Sequence, residues 1–114
     1  MITKQELRIG NLLNYDTGEG IYPAKIDWQD LKHISENEED FNKYHKPIPI
    51  TQETLIMIGF KNIGDGWFGI GKFTWNIFVK SIRYRGFHLG EPDYTHQVQN
   101  LYFAIENEEL PANL

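Results

Sequence analysis

No cysteine occurs among the 114 residues. That absence removes disulfide frameworks, thiol nucleophiles and thiolate metal sites together. Long apolar runs are missing as well, since no stretch approaches the ~18 residues a membrane-spanning helix needs. "MITKQELRIG" sets no apolar run behind a basic head, so no secretory signal is expected and the reading is of a soluble, intracellular protein. The familiar catalytic spacings are absent too. His33, His45, His88 and His96 include no i,i+4 pair and no helix-borne His–Glu arrangement of the kind zinc uses. No serine sits in a nucleophile elbow. "GWFGIGKF" carries glycines without the spacing of a phosphate loop. The acid pairs Glu38-Glu39 and Glu108-Glu109 lie in polar runs, where solvated carboxylates are the ordinary outcome. The expectation is a protein with no catalysis, no cofactor and no metal.

What is present is enough for a core. The chain holds 3 Trp, 6 Tyr and 7 Phe, and 40% of it is hydrophobic. At this length folding buries roughly two thirds of the unfolded chain's surface, so no staple is needed. The net charge is −5, which argues against general nucleic-acid binding. It is unevenly spread, however. Residues 61–90 hold Lys61, Lys72, Lys80, Arg83 and Arg85 against Asp65 alone, whereas residues 91–114 hold five acids and no lysine or arginine.

Along the chain, Thr3 and Glu6 fit a capping box. "LRIGNLLNY" reads as a strand bent at Gly10-Asn11, "DTGEG" as a turn, and "IYPAKIDW" as a returning strand placed at an edge by Pro23. This pair is similar to the opening of an SH3-like barrel. Asp27 caps a helix over residues 28–34 whose apolar side is Trp28, Leu31 and Ile34. Phe41 and Tyr44 anchor a further turn after "SENEED". Pro47 and Pro49 force an extended segment. Residues 50–60 form a short helix with Thr51 as cap, Ile50 packing on Leu55, and Gly59 ending it so that Phe60 folds back. A β-meander of about three strands follows. In it Phe73, Trp75, Ile77 and Val79 share the core face, and Ile82 and Tyr84 alternate with Arg83 and Arg85.

The last helix, in "THQVQNLYFAIENEEL", puts Tyr94, Val98, Leu101 and Ile105 in one apolar stripe. His96, Asn100 and Phe103 lie on the other side. Either a second layer of the chain covers them, or they form a face for a protein partner or a second copy. The whole is an α+β fold, one domain over residues 1–114. Residues 1–45 make the N-terminal β-unit with short helices, and residues 46–114 make the helix, meander and C-terminal helix.

Three blocks, "ELRIGNLL", "YHKPIPITQETLIMIGF" and "THQVQNLYFAIENEEL", resemble a family of small uncharacterised proteins of phages and prophages in Bacteroidetes-type bacteria. That pattern runs "LRIGN", then "KPIPLTEEWLLKFGF", then "VHQLQNLYFALTGEEL". The resemblance covers about a third of the chain. It implies a mobile-element origin and a bacterial cytoplasmic setting, and no activity. One departure is visible: Glu106-Asn107-Glu108 stand where the pattern has Thr-Gly before its final acids, so the last turn is expected to end differently. The function expected is that of an accessory protein acting through a protein partner or self-association. The alternative is a weak nucleic-acid-binding module in the aromatic region 67–85, using Lys72, Lys80, Arg83 and Arg85. No membrane contact is expected.

Overall fold

Leu12 and Leu13 are adjacent in sequence and both fully buried, on opposite faces of one strand. In the computed structural model, which describes residues 1–113, each belongs to a different apolar cluster of an α+β fold. A 3-10 turn (Lys4–Glu6) precedes β1 (Leu12–Asp16), β2 (Ile21–Lys25), α1 (Trp28–Glu36), α2 (Glu38–Tyr44) and β3 (His45–Lys46). Next come α3 (Gln52–Met57), β4 (Lys61–Gly64), β5 (Trp67–Ile70), β6 (Phe73–Asn76), β7 (Ser81–Tyr84) and β8 (Phe87–Gly90), and α4 (Thr95–Glu106) closes the fold. The described helices include none long and apolar enough to cross a membrane.

Two antiparallel sheets result. The first is three-stranded, in the order β2-β1-β3; the second is a five-stranded meander, β4 to β8 in sequence order. Leu13 packs in the smaller cluster with Ile2, Leu7, Ile26, Ile34 and Phe41. Leu12 joins the larger one with Phe60, Phe68, Phe73, Trp75, Ile82 and Val98. The strand's period of two thus sends one leucine into each core and ties the N-terminal unit to the meander.

Local chemistry sets the helix ends. The Asp27 carboxylate accepts from the Asp30 N–H at 3.0 Å, and Asp30 returns the bond. Asn37 caps α2 by accepting from the Asp40 N–H. Thr51 Oγ1 accepts from the Thr54 N–H. At the end of α3, Gly59 has φ +98, the Phe60 N–H bonds to the Leu55 carbonyl at 2.9 Å and the Gly59 N–H to that of Ile56 at 3.0 Å. This is the double bond of a Schellman ending, as read from sequence. α4 ends on Asn107 at φ +55. Asparagine tolerates this left-handed region better than most residues other than glycine.

Several expectations need correction. The meander has five strands, not three. β4 and β8 are four-residue edge strands with a register shift in each pairing, too short to show an alternation. The strand carrying Phe73 and Trp75 ends at Asn76; Ile77 still packs against the core, but Val79 does not. There the Asn76 Oδ1 accepts from the N–H groups of Phe78 and Val79, the chain turns, and Val79 is 60% exposed. The first strand starts at Leu12, because Gly10 at φ +96 bends the chain before it. Trp28 and Tyr44 are exposed, leaving Ile34 and Phe41 as the buried anchors of α1 and α2. The likeness to an SH3-like opening stops at the first hairpin, since the third strand arrives only after two helices and the sheet stays open. Ile105 is half out of the stripe, at 40% exposure.

Because Leu12 and Leu13 serve different cores, either one changed to Ala should lower unfolding free energy by ~2–5 kcal/mol, with Ile105→Ala within ~1 kcal/mol of wild type. Urea unfolding followed by tryptophan fluorescence measures all three.

Candidate functional site

His96, Asn100 and Phe103 do not form an outward face. The first eleven residues lie over them, for a reason of hydrogen bonding. The chain before β1 runs past α4; the Gly10 N–H and the Asn11 carbonyl pair with Ile26, which leaves the Glu6 and Gly10 carbonyls and the Leu12 N–H to be met. α4 supplies the partners from two adjacent amides. Gln99 Oε1 accepts from the Leu12 N–H at 2.8 Å and its Nε2 donates to the Gly10 carbonyl at 3.1 Å. Asn100 Nδ2 donates to the Glu6 carbonyl at 2.8 Å, and its Oδ1 accepts from Asn11 Nδ2 and Arg8 Nε. The Arg8 guanidinium lies 4.0 Å from the Phe103 ring centroid and pairs with Glu109. Of the two readings of this helix side, the covered layer is the one built. The sequence signal was a helix face of His96, Gln99 and Asn100, polar groups that require partners when buried; Arg8 as the third member was not legible.

His96 is 1% exposed, and neither ring nitrogen has a hydrogen bond among the described residues. Glu6 Oε2 stands 3.8 Å away, while the other Glu6 oxygen accepts from the Thr3 N–H. Burial holds the His96 pKa below the ordinary 6.5, with Glu6 opposing the shift. His45 is lowered by burial too, opposed by the Phe41 carbonyl and by Asp30, and it stacks on Phe41 at 3.9 Å. His33 bonds Asp40 at 2.8 Å. Each of these histidines thus has a place within the N-terminal unit or its seam with α4. Among the described residues no three His, Cys, Asp or Glu side chains gather to hold a metal.

The second predicted region is different. β-pairing sorts it into two faces. Phe68, Phe73, Trp75 and Ile82 point into the core. The register sets Lys61 opposite Gly69, Gly69 opposite Thr74, Thr74 opposite Arg83, and Arg83 opposite His88, so these share the outer face. Trp67 lies on that face opposite Asn76, only partly covered, with the Arg83 guanidinium 5.4 Å from its ring centroid. Ile63 packs beside Gly69 and is 60% exposed. The four predicted cations do not converge. Lys72 and Arg85 meet at one end of the meander, where the Arg85 N–H bonds to the Lys72 carbonyl at 2.9 Å. Lys80 is in the β6–β7 turn at the other end, and Arg83 is in the middle. Among the described residues none of these four, nor Lys61, takes part in an ion pair. Ser81 Oγ and Arg83 Nε, both on this side of β7, are buried without hydrogen-bond partners. Sequence reasoning placed the rings of Phe73 and Trp75 inside, where they are; Trp67 lies half-buried on the outer face, and Phe78 and Phe87 are exposed.

A separate open cleft of ≈ 520 Å³ lies between Ile77 and residues Ile50, Thr51, Gln52 and Glu53. Glu53 is its one titratable side chain, so it offers no acid–base pair.

Gln99→Ala leaves the Leu12 N–H and Gly10 carbonyl unpaired, and should cost ~1–3 kcal/mol in chemical denaturation. The histidines set a pH dependence. Their folded pKa values lie below the unfolded one, so the unfolded chain binds more protons below about 6.5. Stability is full above that value and falls as pH drops through it toward the lowered values. Thermal unfolding between pH 8 and 5 should show this loss, and His96→Gln should flatten part of it. No protein-family model matches the chain, nor does any curated protein or solved structure.

Proposed function

We propose that the protein is a small accessory protein that acts by binding and carries out no chemistry of its own, with the outer face of the five-stranded sheet as its working surface. The observation that carries this reading is the half-buried Trp67 ring on the outer sheet face, with the Arg83 guanidinium 5.4 Å from its centroid and Lys61 on the same face. The seam residues on α4 do not serve, because the chain's own N-terminal segment occupies them. A phage or prophage origin and a bacterial cytoplasmic setting belong to the same proposal and rest on the three sequence blocks that resemble that family.

The partner presents negative charge. An acidic protein surface fits, including the run Glu36, Glu38, Glu39 and Asp40 of a second copy, which keeps protein binding and self-association together. Nucleic acid is the second reading, favoured by one observation: a tryptophan lies on the open face among the cations.

The test is retention on immobilised polyglutamate at low salt. Wild type should be retained despite its negative net charge, and Lys61→Glu/Arg83→Glu should flow through with an unchanged circular dichroism spectrum. Flow-through of the wild type, or equal retention of both, would remove the sheet face as a binding surface.

A further inference from the structure

We infer that the outer face of the five-stranded sheet binds single-stranded nucleic acid, with one base stacked on Trp67 and the flanking phosphates on Lys61 and Arg83. This rests on the proposed role of that face and names its ligand.

Three features point beyond a generic acidic partner. The first is the ring. An aromatic side chain left partly open between basic side chains on a sheet is the arrangement that holds unstacked bases, because every base has a π-face to offer. The second is the pair of unmet hydrogen bonds. Ser81 Oγ is in a residue only 3% exposed, Arg83 Nε is likewise covered, and neither has a partner. Native folds leave few such groups. A small swing of the Trp67 ring onto an incoming base would uncover Arg83 Nε, and a phosphate or base-edge oxygen would supply the missing acceptor. The third is the surface around them. Thr74 and Gly69 keep the middle of the face low, while Lys61 stands on the β4 edge and His88 on the β8 edge. Four interstrand gaps of ~4.8 Å give a crossing of ~19 Å, enough for a short run of nucleotides.

A duplex fits less well. Its bases hide their faces from Trp67, and its charge density meets the acidic helices and tail of the same chain. Lys61 and Arg83 are the two cations that the register sets on this face, which limits the contact to a few phosphates, so affinity should be modest and salt-dependent.

The experiment is fluorescence anisotropy at low salt with three probes: a labelled 12-nucleotide oligothymidylate, an abasic oligonucleotide of the same length, and labelled polyglutamate. The oligothymidylate should bind about 10-fold or more tightly than the abasic strand. Trp67→Ala should erase that difference, Trp67→Phe should keep most of it, and Arg83→Gln should weaken both oligonucleotides alike. Equal binding of the two strands, or a Trp67→Ala variant that still prefers bases, would overturn base stacking. Tighter binding of polyglutamate than of either strand would assign the face to an acidic protein, leaving the surface reading intact. No binding of any probe would overturn the inference and the surface together.

Discussion

Two amides, Gln99 and Asn100, hold the rest of the fold in register. A strand that begins in the middle of a molecule must have its first peptide groups paired, or the cost of burying them is paid in stability. Here the pairing comes from a helix far along the chain: Gln99 bonds both the Leu12 N–H and the Gly10 carbonyl, and Asn100 reaches the Glu6 carbonyl. Arg8, between Phe103 and Glu109, completes the clamp on its wet side. Once these bonds fix where β1 starts, the alternation of Leu12 and Leu13 follows, and with it the division of apolar side chains between the two cores.

That constraint also explains which surfaces are left over. The polar side of α4 is occupied by the N-terminal segment and its apolar side by the sheet, so the helix is a layer between two others. The inner face of the meander meets α4 and α3 through Val98, Leu55 and Ile58. The outer face, with Trp67 and Arg83 half-buried and Asn76 and Ser81 buried at one end, is partly open to solvent. Its cations come from the stretch of sequence with a single acid, Asp65, which is why they lack partners close at hand.

Much of this was legible in the residues and some was not, for identifiable reasons. α3 could be read at both ends because Thr51 and Gly59 each admit few alternatives. α4 was legible from its stripe, and its second, polar side was recognisable as one that needs partners. The region 61–90 was harder. Its strands are four residues long, so the period of two hardly repeats before a turn intervenes, and the extent of β6 was overestimated by the apolar residues Ile77 and Val79. The two faces there were separable only once register was known. Trp67 counts as one more aromatic in a glycine-rich run until its position opposite Asn76 assigns it to the outside. The link between residues 6–12 and 99–100 is a tertiary fact, with no local pattern to announce it.

The clamp joins positions 87 to 94 residues apart, whereas the meander joins neighbours. Since a chain emerges from the ribosome amino end first, the N-terminal sheet is made long before the helix that completes it. Until α4 appears, Leu12 faces a core that does not yet exist, and although Gly10 and Asn11 can already pair with Ile26, the Gly10 carbonyl and the Leu12 N–H have only water. The order of translation thus leaves one flank of the N-terminal sheet incomplete until residues 99 and 100 are made.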